Sequence, residues 1–206
     1  MTKTLDDLDA FHLDVIQEIG NIGAGNAATA LAQMVSKKID MDVPKAGILP
    51  MDEVLTLIGN EEDLITCVQQ SVVGDAPSTI LFILEQESAF LLIDMIMSQA
   101  SGSTTDINQM GESLLKEVGN ILSGSFLRAF SDMTSLAFHL AVPSFAYDML
   151  GAVLSTALIE SGYYADKVLM VETRFYEAST EIKGHFFILP EIEALEKILS
   201  ALGLSF

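Results

Sequence analysis

Apolar residues at Leu8, Phe11, Val15, Ile19 and Ile22 recur at steps of three and four, and Leu114, Leu115, Val118, Ile121 and Leu122 repeat the pattern further on. Both spacings predict amphipathic helices. From Ile39 to Val43 apolar and acidic residues alternate, the period of a half-buried strand. Strand-like runs flank Val72–Ser78 and Tyr176–Glu181, whose turn-forming residues predict two hairpins and hence antiparallel pairing. The runs Ile80–Leu84 and His185–Leu189 each lead into an amphipathic stretch, ending near Met97 and Leu202. Each half therefore reads helix, strand, short helical segment, two longer strands, helix. The predicted class is α+β, an antiparallel sheet packed against helices.

The likeness of the halves extends to identity. Asp14–Gly25 aligns with Ser113–Gly124 at an offset of 99 positions, with Glu18/Glu117, Gly20/Gly119, Asn21/Asn120, Ile22/Ile121 and Gly25/Gly124 unchanged. The same offset carries Pro44 onto Pro143, each 23 positions after its asparagine and preceded by Val. The chain is a tandem duplication with pseudo-two-fold symmetry. Its repeats span about 11–104 and 110–206, joined by the polar link Ser98 to Asn108, and they are expected to form one domain over residues 1–206.

Composition narrows the setting. Half of the 206 residues are hydrophobic, yet the charge-free run Ile19–Ser36 is broken by Asn21, Asn26, Thr29, Gln33 and three glycines, and Met133–Tyr147 carries His139 and Pro143. Neither run suits a membrane span. With 29 acidic against 10 basic residues the net charge is −19, which excludes most nucleic-acid binding and disfavours anionic membranes. The acidic opening lacks the apolar core of a secretory signal, so a cytoplasmic location is expected. Cys67, alone in an apolar stretch, reads as a buried small hydrophobe. His12, His139 and His185 have no Ser or Cys partner at recognisable spacing, and the methionines read as core filler or interface.

On a helix, positions i, i+4 and i+7 fall within about 60° of one another, so Asp14, Glu18 and Asn21 share one face, as do Ser113, Glu117 and Asn120. A solvated face drifts freely after duplication, whereas here Glu and Asn agree in both copies. An asparagine amide is no practical base or nucleophile, but it can orient a water or a carbonyl. A glutamate one turn away can act as acid or base, or pair with a cation. Ser113 replaces Asp14 in the second copy, so a metal site common to both copies is not expected. Gly23–Ala28 fits the form of a dinucleotide-binding loop, but it follows a helix rather than a strand. The small residues are expected to let helix approach helix or sheet closely, and the glycines before each asparagine to loosen the helix.

The pattern Asp/Ser-x-x-x-Glu-x-x-Asn followed by Pro, present as Asp14, Glu18, Asn21, Pro44 and as Ser113, Glu117, Asn120, Pro143, resembles the CheC/CheX/FliY family of chemotaxis phosphatases. The similarity of layout covers nearly the whole chain. Two complete motifs set it apart from CheX-type members with one, and the switch domain that FliY-type members add is not expected with these 206 residues.

The resemblance implies dephosphorylation of the response regulator CheY at an aspartyl phosphate. Asn21 or Asn120 would orient a water for in-line attack, Glu18 or Glu117 would pair with the regulator's lysine, and Asp14 or Ser113 would contact the substrate protein. No cofactor is implied for this chain; magnesium belongs to CheY. A second implied partner is the receptor deamidase CheD. The apolar stretch Ala146–Leu158, with Asp148 as its only charge, reads either as a docking helix for that partner or as a core-packed helix. With two halves already mimicking a dimer, a monomer is expected. The rival reading is a non-catalytic adaptor that binds CheY-P, modulates CheD, or both; a structural subunit of the flagellar switch is a third.

Overall fold

The computed structural model describes residues 8–161, 167–177 and 180–203; the acidic opening segment, residues 1–7, and the tip of the second hairpin, 178–179, lie outside the described residues. The first repeat contributes α1 (Ala10–Val35), β1 (Asp40–Pro50), α2 (Met51–Ile58), β2 (Leu64–Gly74), β3 (Ser78–Glu85) and α3 (Gln86–Ile96). The second contributes α4 (Gln109–Thr134), β4 (Phe138–Leu140), β5 (Ser144–Met149), α5 (Leu150–Ser161), β6 (Lys167–Glu177), β7 (Thr180–Pro190) and α6 (Ile192–Ala201). The order anticipated for each half is the order found, except that the second copy splits its first strand in two.

The duplication reaches the helix ends. Both α1 and α4 run 26 residues and stop at a serine in the left-handed conformation, Ser36 and Ser135. Their starts are capped by different side chains. Asp9 accepts from the His12 N–H in a reciprocal capping box, and Asn108 accepts from the N–H groups of Met110 and Gly111.

All seven strands join one antiparallel sheet in the order β1-β6-β7-β3-β2-β4, with β5 also on β2. The hairpins β2–β3 and β6–β7 meet at the β3–β7 seam, where Ser78 pairs with Pro190 and Ile83 with His185. The first strand of each repeat does not join its own hairpin. β1 adds to β6 of the second repeat, and β4 and β5 add to β2 of the first. The floor beneath each repeat's first helix is therefore completed by the other repeat.

Both sheet faces are covered, so β3 is buried from Ser78 to Leu84. Ile80, Phe82 and Leu84 face a core shared with α1, α3, α4 and α6, in which Phe126 stacks on Phe186 at 4.8 Å between ring centroids. Leu81 and Ile83 face a second core closed by α2 and α5. Cys67 is buried there, and burial pushes its thiol up to about 12.

Two sequence expectations need correction. In α1 the side turned to the core is Ile16, Ile19, Gly20, Gly23, Ala24, Ala27 and Leu31, whereas Phe11 and Ile22 are 62% and 43% exposed. The buried stripe lies about a third of a turn from the one traced by the large apolar residues, because α1 packs on α4 through its small residues. A Cβ at Gly23 would sit 2.9 Å from Phe126 Cα, and one at Gly119 would sit 2.6 Å from the Val68 side chain. The glycines thus serve close approach, and both helices run unbroken through them. Second, Ala146–Leu158 is not one helix. Residues 146–149 end strand β5, and α5 starts at Leu150 because β2 offers Leu64–Gln69 for pairing. Asp148 is exposed on that edge strand opposite Ile65, while Leu150, Val153, Leu154 and Ala157 fill the second core.

Candidate functional site

The site begins with proline chemistry. Pro44 has no N–H to give to a ladder, and the β1–β6 register shifts there: Asp42 pairs with Arg174 and Lys45 with Glu172, so Val43 and Pro44 oppose Thr173 alone. In the second repeat Leu140 pairs with Val72 and Ser144 with Gln69, so Ala141, Val142 and Pro143 oppose Gln70 and Ser71. Each repeat has one extra residue at its proline. Backbone groups released from the ladder at these bulges are available to the helix above.

α1 and α4 lie over these bulges. Asn21 is half-buried, and its Oδ1 accepts from the freed Val43 N–H at 3.0 Å. Four residues earlier on α1, Gln17 donates through Nε2 to the carbonyls of Val43 at 3.2 Å and Pro44 at 2.9 Å. Together the two side chains satisfy three backbone groups of the bulge.

Asn120 is also half-buried, but its Oδ1 accepts from the Gln70 side chain, with Nε2 at 3.0 Å; the same nitrogen donates to the Ala141 carbonyl at 3.1 Å. The outward valine of this bulge, Val142, is 90% exposed, whereas Val43 is buried. Among the described residues neither asparagine NH2 has a hydrogen-bond partner.

The carboxylates stand at the rim. Asp14, Glu18 and Glu117 are exposed, as is Ser113, and among the described residues neither Glu18 nor Glu117 has a hydrogen bond or ion pair. Each presents an uncompensated negative charge within a turn of an anchored amide, which suits a cation brought by a partner. The structure thus brings together Glu18, Asn21 and Pro44 in one place and Glu117, Asn120 and Pro143 in another. Asp148, on the β5 edge, belongs to neither. Among the described residues no group of three or more His, Cys, Asp or Glu is placed to hold a metal ion, and no helix is long and apolar enough to cross a membrane.

Sequence reasoning missed Gln17 and Gln70. The repeat hides Gln17, because its counterpart is Lys116, which pairs instead with Glu112. Gln70 lies 50 residues before Asn120, in the other repeat; its only signal is a polar residue between Val68 and Val72 on the core-facing side of its strand.

A sequence profile of the CheC-like family matches residues 11–48 and 110–147, the two helix-and-bulge segments just described. The chain is 36% identical over 197 residues to the CheY-P phosphatase CheC of Bacillus subtilis (strain 168), covering 94% of each sequence. This chain belongs to the CheC-like family. In fold it is similar to the crystal structure of Thermotoga maritima FliY, at a TM-score of 0.80 and 18% identity, over 96% of this chain and 98% of that one. It also resembles a chain of the CheX-CheY-BeF3-Mg+2 complex from Borrelia burgdorferi, at a TM-score of 0.50 and 16% identity, over 82% and 96% of the two chains. The resemblance drawn from the paired Glu/Asn motifs holds. For a CheC-like protein, the anchored amides beside free glutamates are the features that distinguish these helices from ordinary amphipathic ones.

Proposed function

We infer that the chain is a phosphatase of the phosphorylated response regulator CheY, with two sites, Glu18/Asn21 and Glu117/Asn120. The observation that carries this reading is an amide held from beneath by its oxygen, with an uncommitted NH2, one turn from an unpaired carboxylate, in both repeats. The CheY-P phosphatase named for its relative supports it, as does a fold relative bound to CheY.

In the proposed reaction a water oxygen attacks phosphorus in line, the bond from phosphorus to the aspartyl oxygen breaks, and the products are free aspartate and orthophosphate. The acyl phosphate is already activated and carboxylate leaves readily, so little proton transfer is needed from this protein. Asn21 or Asn120 orients the water. The amide NH2 can donate to an oxygen while Oδ1, having accepted one hydrogen bond, keeps a lone pair for a water hydrogen. Glu18 or Glu117 pairs with a lysine of the regulator, and Asp14 and Ser113 extend the contact. Magnesium belongs to the substrate protein, and this chain supplies no cofactor. A cytoplasmic monomer that also binds the receptor deamidase CheD through the region of Asp148 goes with this reading; Asp148→Lys should then abolish CheD binding and leave CheY binding unchanged.

The test is phosphate release from CheY kept phosphorylated by a small phosphodonor, with catalytic amounts of wild type, Asn21→Ala, Asn120→Ala and the double variant. Acceleration that falls in stages, on the order of 10²-fold for the site misaligned, supports two phosphatase sites. Full activity in the double variant overturns the assignment, and tight binding without turnover moves the protein to the adaptor class.

A further inference from the structure

Gln70 is 1% exposed, on the face of β2 that also carries the buried Val68 and Val72, and its Oε1 is buried without a hydrogen-bond partner. Leaving a buried carbonyl oxygen unpaired works against folding, so this side chain is not explained by stability. Its orientation is nonetheless determined. The Ala141 carbonyl can only accept, so the amide must turn its NH2 toward it, and the same NH2 then meets Asn120. Only the oxygen of Asn120 can accept from that group. The chain of constraints runs from a backbone carbonyl through Gln70 to Asn120 and leaves the Asn120 NH2 uncommitted.

The first repeat reaches the same orientation by another route. There the fixed group is the Val43 N–H, which can only donate, and it too selects the asparagine oxygen. Two different devices thus hold the two amides with oxygen inward and NH2 uncommitted. We propose that Gln70 is the positioning residue of the second site, fixing which end of the Asn120 amide meets the water and the phosphoryl group. This inference rests on the phosphatase reading and adds to it. It makes the second site depend on a side chain of the opposite repeat, whereas the first depends on backbone.

The experiment measures steady-state phosphate release from phosphorylated CheY in two backgrounds. With Asn21→Ala, only the second site turns over; with Asn120→Ala, only the first. Gln70→Met removes the donor at similar volume, and Gln70→Glu offers Asn120 an acceptor instead, which favours the reversed amide. In the Asn21→Ala background both should lower kcat by about tenfold or more, with KM changed less than about twofold. Asn120→Asp, which still accepts from Gln70 but lacks an NH2, should lose turnover there too. In the Asn120→Ala background the Gln70 variants should leave kcat within about twofold, since Val43 holds Asn21. An unchanged second-site kcat with either variant overturns the positioning role. So does an equal loss at both sites, the mark of a merely structural residue or a misfolded variant. If Asn120→Ala itself keeps second-site turnover in the Asn21→Ala background, the phosphatase reading of that site fails instead.

Discussion

The Oδ1 atom of Asn21 accepts a hydrogen bond of 3.0 Å from the backbone nitrogen of Val43, on a strand 22 positions away. That contact links the two ends of the sequence motif. Pro44 breaks the ladder with β6, the break frees the Val43 N–H, and the asparagine above takes it up. An asparagine without the proline would face a strand whose N–H groups were already committed.

Gln17 braces the same bulge through the carbonyls of Val43 and Pro44. Gln17→Leu leaves both carbonyls to water and loosens the group that orients Asn21. In an Asn120→Ala background, phosphate release should fall by about three- to tenfold, while the second site, measured in an Asn21→Ala background, is unaffected.

The glycines of α1 and α4 divide by their surroundings. A Cβ at Gly23 meets the backbone of Phe126 and one at Gly119 meets Val68, so either change to Ala forces the elements apart and should cost about 1–3 kcal/mol in urea unfolding. Gly25 has no atom within 4 Å of the added carbon. Gly25→Ala should stabilise by about 0.5–1 kcal/mol, through helix propensity alone.

Glu18 and Glu117 are exposed and unpaired, so their effect lies in encounter with a cationic partner. Glu18→Lys with Glu117→Lys should raise KM for phosphorylated CheY more than it lowers kcat. Wild-type association should weaken as salt rises, and the double charge reversal should remove most of that dependence. A salt response identical to wild type would count against the lysine pairing.

Asp94 ties the link between repeats to the end of α3, accepting from the N–H groups of Gly102, Ser103 and Thr104 and from the Thr104 hydroxyl. Burial raises its carboxyl, but these hydrogen bonds lower it more, and the group stays below its ordinary value. A carboxyl lowered on folding contributes stability that is present above the unfolded value of about 4 and is lost as pH falls through the folded one. Wild type should therefore exceed Asp94→Asn in urea stability at pH 7, with the gap narrowing below about pH 4. A gap independent of pH would show that charge plays no part.

Much of this was legible in the chain. Hydrophobic periodicity located both long helices, because burial on one face imposes a spacing that does not depend on what covers the face, and turn-forming residues between strand-like runs located both hairpins. Repetition then singled out Glu18, Asn21 and Pro44 with their counterparts Glu117, Asn120 and Pro143. Periodicity failed where size and burial parted: Phe11 and Ile22 traced a helix stripe, but the buried one sets Gly20, Gly23, Ala24 and Ala27 among Ile16, Ile19 and Leu31, and only a neighbouring helix reveals the close approach of the small residues. It failed again at Ala146–Met149, where an open edge on β2 drew an apolar segment into a strand.

The sequence by itself determined that there are two matching faces, each with a carboxylate and an amide, and a proline behind each. Only the tertiary structure decided what holds the amides. The donor to Asn21 is a backbone N–H, which carries no side-chain signature, and the donor to Asn120 comes from the opposite repeat because the first strands cross over in the sheet. Spacing along a chain records which residues share a face, whereas a hydrogen bond across 50 positions exists only once the sheet has brought its two ends within 3.0 Å.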